Sequence, residues 1–203
     1  MKALITGFEP FGKLEINPSW EAVKLVSEHL DKGIEVTKML LPVEYGRAPE
    51  MLRKAMETEH YDVVLCTGVA MNRRAVMPEY VAVNVMDSTQ PDNSGRVCIY
   101  EKIEEEGEAV LYTNLPLVDL LDAIHAKGVP CAPSFDAGAY VCNALFYHLM
   151  HSIKYGKMRT YGGFIHLPPE SEVKSCDAAR ALEEILLMMA DKEPAQVIEE
   201  TEE

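Results

Sequence analysis

The sequence predicts an α/β fold, a three-layer α/β/α sandwich built around a twisted, mostly parallel sheet. Short apolar runs alternate along the chain with stretches whose apolar residues recur every three to four positions. This alternation of strand and helix patterns is typical of a parallel sheet covered by helices on both faces. Since we find neither an internal repeat nor a linker, we expect residues 1–190 to form a single domain.

The first half of the chain is predicted to contain three strands and two helices. The strands are expected over residues 2–6, 34–41 and 63–67, and the second helix over residues 48–60. The first helix follows Asn17, a favourable N-cap residue, and has Pro18 in its first turn. Its expected core face consists of Trp20, Val23, Val26 and Leu30.

The second half continues the alternation and ends in an acidic tail. We expect a strand over 80–85, a polar irregular segment over 88–108, a helix over 116–127 and a short strand over 131–135. A strongly apolar helix over 141–155, a buried strand over 163–167 and a closing helix over 176–190 follow. Residues 191–203 hold six carboxylates and one lysine, and we predict that they form a disordered tail.

The composition argues against several classes of function. A formal charge of −14 is unsuited to binding nucleic acid or an anionic membrane surface. The N-terminal apolar run is too short for a signal peptide, and no stretch is long enough to span a membrane. Five cysteines without a CxxC pair fit neither a disulfide framework nor a zinc site, which predicts a reducing, cytoplasmic environment.

Cys142 is the first candidate for catalysis. It lies in the segment SFDAGAYVCNALFYHLM, where Gly138 precedes the most apolar helix of the chain. A thiol in a first helical turn lies close to unpaired backbone N–H groups and to the positive end of the helix dipole, and both favour the reactive thiolate. A buried structural cysteine is the alternative that position alone leaves open.

Other residues could act with this thiol. His166 ends an apolar strand, where a histidine can face a ligand crevice and accept a proton, although a core histidine also fits there. Glu79 follows Pro78 and precedes an apolar strand, so its carboxylate could orient an imidazole. Asp92, in QPDNSG, competes for that orienting role. Solvated turn carboxylates are the alternative for both acidic residues.

The site is expected beyond the carboxyl ends of the strands, where segments 7–12, 68–79 and 166–169 meet. In the first of these, GFEPFG places Phe8 and Phe11 where two aromatic rings could hold a small flat ligand. A phosphate-binding loop is a weaker interpretation, because the two glycines are not followed by Lys-Ser/Thr.

An ordered series of motifs resembles the pyroglutamyl peptidase I family, also called pyrrolidone carboxyl peptidases. The motifs span nearly the whole chain and read TGFEPFG, INPSWEAVK, LPVEYGRA, VAVNV, PDNSG, TNLP, GVP, AGAYVCNALFYHLMH and GGFIHLP. The resemblance implies a cytosolic cysteine exopeptidase with an α/β/α fold that acts on N-terminally pyroglutamylated peptides. It also implies a homotetramer that uses no metal or cofactor.

The matching motifs imply roles for individual residues. Cys142 corresponds to the family's nucleophile, His166 to its histidine and Glu79 to its glutamate. By the same match, the pyroglutamyl ring would be held by Phe8 and Phe11 together with backbone groups around Tyr140 and Val141. The implied reaction proceeds through a thioester between the acyl group and the thiol.

The sequence departs from the family pattern beside the expected ring pocket. Gln90 places a polar amide where the family carries an apolar residue, and the segment after Pro168 is shortened. These changes leave the three candidate catalytic residues in place and bear on substrate preference. A related cysteine amidase acting on another small acyl group, and a non-catalytic binding homologue, therefore stay open as alternatives.

Overall fold

The computed structural model describes residues 1–198, which form ten strands and five α-helices. The strands are β1 (Lys2–Phe8), β2 (His29–Leu30), β3 (Ile34–Leu41), β4 (Val63–Val69), β5 (Met77–Pro78), β6 (Val81–Val83), β7 (Met86–Ser88), β8 (Cys98–Glu101), β9 (Val110–Tyr112) and β10 (Tyr161–Leu167). The helices are α1 (Pro18–Leu25), α2 (Arg47–Thr58), α3 (Leu117–Ala126), α4 (Val141–Tyr155) and α5 (Ser175–Met189).

The central sheet has the strand order β2-β3-β1-β4-β10-β5. Its four inner strands are parallel, while the two-residue strands β2 and β5 pair antiparallel at the edges. Because helices cover both faces, every residue of β4 is buried. The mostly parallel α/β sheet predicted from the sequence is confirmed.

The two faces of the sheet carry separate apolar cores. Successive residues of β1 point to opposite faces, so Ala3 and Ile5 pack with α1, α3 and α5, whereas Leu4 packs with α2 and α4. The α4 face receives the long apolar helix predicted over 141–155, whose bounds match the structure. This helix begins beside the carboxyl ends of the strands, and that places its first turn at the expected ligand crevice.

The structure differs from the sequence predictions mainly at the edges of the sheet. Helix α1 ends at Leu25. Leu30, which was predicted to lie on the core face of this helix, instead belongs to the edge strand β2 and pairs with Ile34 of β3. Within the segment predicted to be irregular, β8 pairs with β7 to form a separate hairpin. Residues 131–135 contribute only isolated bridges, such as Glu79 with Ser134. Short edge pairings depend on tertiary neighbours that local periodicity does not encode.

Residues 192–195, within the first part of the predicted disordered tail, lie against the amino-terminal ends of β4 and β10. Ala195 is buried, and the Tyr161 hydroxyl donates a hydrogen bond of 3.2 Å to the carbonyl of Glu193. Ile198 packs against the core on the α4 face. The rest of the predicted tail, 199–203, lies outside the described residues, and the domain boundary at 190 stays a prediction.

Across residues 1–198, none of the helices is both long enough and apolar enough to cross a bilayer.

Gly7 allows α1 to pack closely on β1, and we expect Gly7→Ala to destabilise the fold. A Cβ at this position would lie 2.9 Å from Cα of Trp20, so the helix backbone would have to move. The expected loss in the free energy of unfolding is about 1–3 kcal/mol, measured by urea denaturation. Gly46→Ala is the control, because its Cβ would meet no atom within 4 Å. Equal losses in the two variants would contradict the close-packing argument.

Candidate active site

Cys142 is the second residue of α4, as the sequence pattern predicts. Tyr140 is the N-cap with extended backbone, and the intrahelical ladder starts with the bond from the Ala144 N–H to the Tyr140 carbonyl, at 3.2 Å. The backbone N–H groups before Ala144 therefore lack helical partners. The thiol lies at the positive end of the helix, where backbone donors can face a negative charge.

Asn143 anchors this helix start to the neighbouring β-structure. Its buried side chain donates to the carbonyls of Val83 and Val85, at 2.8 and 3.0 Å, and accepts from the N–H of Val83 at 2.9 Å. Asn143 was not among the residues predicted for the site. An amide directly after a candidate nucleophile, in an otherwise apolar helix, was the available signal.

Gly68 provides the space that the thiol occupies. A Cβ on this residue of β4 would lie 2.8 Å from Sγ of Cys142 and 2.9 Å from the ring of Phe164. In the parallel pairing of β4 with β10, Gly68 also aligns with His166. The glycine was missed as a site residue, although a glycine inside a buried strand signals a close approach by another group.

His166 and Glu79 form a buried pair at the carboxyl end of β10. Nδ1 of His166 lies 2.7 Å from Oε1 of Glu79, and the two residues are 6% and 1% exposed. Glu79 directly follows β5, and its N–H donates to the carbonyl of Phe164 at 2.8 Å. The backbone of β10 thus positions both the imidazole and, through the edge strand, its carboxylate partner.

The surroundings of His166 favour its charged form. Burial disfavours the imidazolium, but the hydrogen bonds to Cys142 and Glu79 and the negative charge on these groups outweigh it and raise the pKa of His166 to about 9. Since Nδ1 faces Glu79, Nε2 is left for the thiol. The arrangement therefore places the side chain of Cys142 beside an imidazolium that can donate a proton.

A small pocket opens beside the thiol. It has a volume of about 40 Å³ and is lined by Phe8, Phe11, Asn17, Val43, Val69, Tyr140, Val141 and Cys142. Five of these residues were predicted for the site, whereas Asn17, Val43 and Val69 were not. Because the lining is largely aromatic and aliphatic, the pocket suits a compact uncharged group next to the reacting carbonyl.

Gln90 and Asp92 lie outside the lining of this pocket. Gln90 is exposed, and its amide lies beside Gly12 and the Tyr140 hydroxyl. Asp92 is buried and accepts hydrogen bonds from Tyr45, Ser94 and Arg96. Within residues 1–198, the carboxylate that contacts His166 is that of Glu79. Asp92 instead accepts hydrogen bonds that stabilise its own turn.

The remaining cysteines and histidines form no second centre in the described part of the chain. Cys66, Cys98 and Cys131 are buried and Cys176 is exposed. No group of three or more potential ligands among residues 1–198 could hold a metal ion, and this includes the neighbourhood of His148 and His151.

A thiol at a helix start, a buried imidazole that interacts with it and a carboxylate hydrogen-bonded to the imidazole define a cysteine hydrolase site. Comparison with known proteins agrees with this class. The sequence profile of the pyroglutamyl peptidase family matches residues 1–190. The chain belongs to the pyroglutamyl peptidase family of cysteine peptidases.

Individual relatives resemble the chain over most of its length. The pyrrolidone-carboxylate peptidase of Bacillus licheniformis is 38% identical over 187 residues, which cover 91% of this chain and 87% of that protein. The enzyme of the same name from Thermococcus kodakarensis is 42% identical over 168 residues, with 83% and 81% covered. The crystal structure of pyroglutamyl peptidase I from Bacillus amyloliquefaciens superimposes on this chain with a TM-score of 0.88 and 32% sequence identity. The superposition covers 98% of this chain and 99% of the chain in that structure.

We expect Glu79→Gln to lower the pKa of His166 from its value of about 9, because the substitution removes a negative charge that stabilises the imidazolium. In the wild type, a folded pKa above the ordinary 6.5 means that charged His166 stabilises the fold below pH 6.5, and that this contribution is lost as the pH rises through about 9. An NMR titration of the His166 ring protons measures the shift.

Glu104→Gln is the matched control for this titration. Glu104 lies 3.5 Å from His148, on the outer side of α4, so its loss should leave the His166 midpoint in place. A His166 midpoint that is identical in wild type and Glu79→Gln would contradict the assigned contact.

Proposed function

We propose that this chain hydrolyses the amide bond that follows an N-terminal pyroglutamyl residue. The observation that carries the proposal is the small, largely apolar pocket that Cys142 helps to line. A pyroglutamyl residue is a compact five-membered lactam without charge, so it needs aromatic and aliphatic walls and no counter-ion. The family of the chain and the names of its relatives support the same substrate.

The first half of the reaction is attack by the thiolate of Cys142 on the pyroglutamyl carbonyl carbon. A carbon–sulfur bond forms and the carbonyl π electrons move to oxygen, giving a tetrahedral oxyanion. Backbone N–H groups in the first turn of α4 are positioned to stabilise this charge. When the intermediate collapses, the carbon–nitrogen bond breaks and the imidazolium of His166 gives its proton to the departing amine.

The second half of the reaction resolves the thioester. His166, now neutral, removes a proton from a water molecule as that water attacks the acyl carbon. Collapse of the second tetrahedral intermediate breaks the carbon–sulfur bond, releases pyroglutamate and restores the thiolate and imidazolium. Glu79 keeps Nε2 of His166 facing the thiol and stabilises the imidazolium in both halves.

The pocket residues would select the acyl group. Phe8, Phe11, Tyr140 and Val141 would surround the lactam ring, which fixes the scissile carbonyl over Sγ. Gln90 would act at the rim, where its amide lies beside the Tyr140 hydroxyl. Its polar character is the feature that supports the alternative of a related cysteine amidase with another small acyl substrate.

Replacing the nucleophile tests the proposal. We expect the wild type to release 4-nitroaniline from pyroglutamyl 4-nitroanilide, and Cys142→Ser to lose about 10³-fold or more of kcat/KM, because the hydroxyl is a much weaker nucleophile. Cys176→Ser, at an exposed cysteine, is the control and should keep wild-type activity. Iodoacetamide should block wild-type turnover.

The other outcomes distinguish the alternatives. No release by the wild type, with rapid alkylation of Cys142, would replace this proposal with the related amidase. No release together with an unreactive thiol would favour a non-catalytic binding homologue. Full activity in Cys142→Ser would remove Cys142 from the nucleophile's role.

We also propose a cytoplasmic homotetramer. All five cysteines are unpaired, which suits a reducing compartment. The β7–β8 hairpin exposes Val97, Ile99 and Tyr100, apolar side chains that a subunit interface would cover. Light scattering after gel filtration should give about four times the chain mass of 22.7 kDa. A mass equal to one chain at micromolar concentration would contradict the tetramer.

A further inference from the structure

Three consecutive residues, Pro91, Asp92 and Asn93, connect separate loops around the acyl pocket; we call them the bridging segment. The Tyr140 hydroxyl donates to the carbonyl of Pro91 at 3.0 Å. The N–H of Asn93 donates to the carbonyl of Val43 at 2.8 Å. None of these contacts involves Cys142 or His166, so the bridging segment stands apart from the reacting groups.

The side chain of Asn93 makes the third connection. Its Nδ2 group donates to Oε1 of Glu9 and to the carbonyl of Pro10, both at 2.9 Å. Two acceptors occupy the two amide hydrogens, so this side chain is held in one orientation. Glu9 and Pro10 directly precede Phe11, and the contact therefore holds the loop that carries one aromatic wall of the pocket.

Asp92 gives the bridging segment a fixed shape. Its Oδ1 accepts from the Ser94 N–H, the Ser94 hydroxyl and the Arg96 N–H, at 2.9, 2.7 and 2.9 Å. Its Oδ2 accepts from the Tyr45 N–H at 3.0 Å. Asp92 is only 6% exposed, so these bonds are shielded from water and hold the turn firmly.

Each loop that the bridging segment contacts contributes a wall of the pocket. Phe11, Val43 and Tyr140 all line it, and the ring centroids of Phe11 and Tyr140 are 6.2 Å apart. Tyr45 packs edge-on against Tyr140, with centroids 5.5 Å apart. A displacement of the bridging segment would therefore move three walls relative to one another.

We propose that the bridging segment sets the width of the acyl pocket and thereby the ring size that the enzyme accepts, with Asp92 and Asn93 as positioning residues. This inference depends on the proposed function, because it concerns selection of the acyl group at the same thiol. Selection of the acyl group then depends on the hydrogen bonds of the bridging segment as well as on the apolar residues that line the pocket.

Asn93→Asp tests this inference. The variant is nearly isosteric, but it replaces two donors with a carboxylate facing Glu9 and the carbonyl of Pro10, so the loop that carries Phe11 should move away. For pyroglutamyl 4-nitroanilide we expect KM to rise about tenfold, with kcat within about threefold of wild type. The relative kcat/KM for the anilide of the six-membered lactam homologue, 6-oxopiperidine-2-carboxylic acid, should increase at least about fivefold.

Two further variants complete the experiment. Asn114→Asp is the matched control, because Asn114 donates to the Thr160 carbonyl near the opposite, amino-terminal end of β10 and should leave both KM and ring preference unchanged. The double variant Glu9→Gln with Asn93→Asp restores a donor and acceptor pair between positions 9 and 93. We expect its KM to return at least threefold toward wild type, which also keeps the test valid if the single variant folds poorly.

The results separate the two proposals. A wild type without activity on the pyroglutamyl anilide would overturn the proposed function, and this inference with it. An active wild type whose KM and ring preference are unchanged in Asn93→Asp would overturn this inference alone. The rate of Cys142 alkylation by iodoacetamide should stay at the wild-type value in Asn93→Asp. A slower rate would mean that the substitution acts on the thiol and would contradict a role in acyl selection.

Discussion

The hydrogen bond between His166 and Glu79 is the constraint on which the site depends. A carboxylate that is 1% exposed has lost nearly all of its hydration, and this costs several kcal/mol unless an opposite charge compensates it. The imidazolium of His166, 2.7 Å away, supplies that charge. The same contact fixes which ring nitrogen faces the thiol. One hydrogen bond therefore both compensates a buried charge and orients the imidazole for acid–base chemistry.

The backbone on both sides makes this contact possible. The short antiparallel strand β5 pairs with the end of β10, and the N–H of Glu79 is held by the carbonyl of Phe164. Next to Glu79, the N–H of Tyr80 donates to the carbonyl of Ser134 at 2.8 Å. On the other side of β10, the parallel register aligns His166 with Gly68, whose missing side chain leaves space for Sγ of Cys142. The end of β10 thus supplies His166, the edge strand β5 leads into Glu79, and the start of α4 supplies Cys142.

Much of the fold could be predicted from the sequence, because the inner strands and long helices have patterns that depend on burial alone. The strand over 34–41 and the helix over 141–155 have the predicted bounds. Phe8, Phe11 and His166 could be placed in one crevice because parallel strands end at the same edge. Cys142 became a candidate for a different reason, its position at a helix start. Asn17, Val43 and Val69 could not be placed beside the thiol, since their approach depends on how loops after different strands fold together. The burial of Glu79 likewise follows from a two-residue edge strand that has no periodicity to detect.

The contrast between Glu79 and Asp92 explains why one carboxylate faces the histidine and the other does not. Asp92 has four donors for its two oxygens, three of them backbone N–H groups. Burial opposes its charged form, but these hydrogen bonds prevail and lower the pKa of Asp92, so a buried charge is stabilised there without a cation.

Among residues 1–198, Glu79 has no such set of donors: Oε1 contacts His166 and Oε2 has no hydrogen-bond partner. Its charge is therefore compensated mainly by the imidazolium, which couples Glu79 to the protonation of His166. A carboxylate satisfied by backbone N–H groups can fix a loop, whereas a carboxylate dependent on an imidazole can support proton transfer.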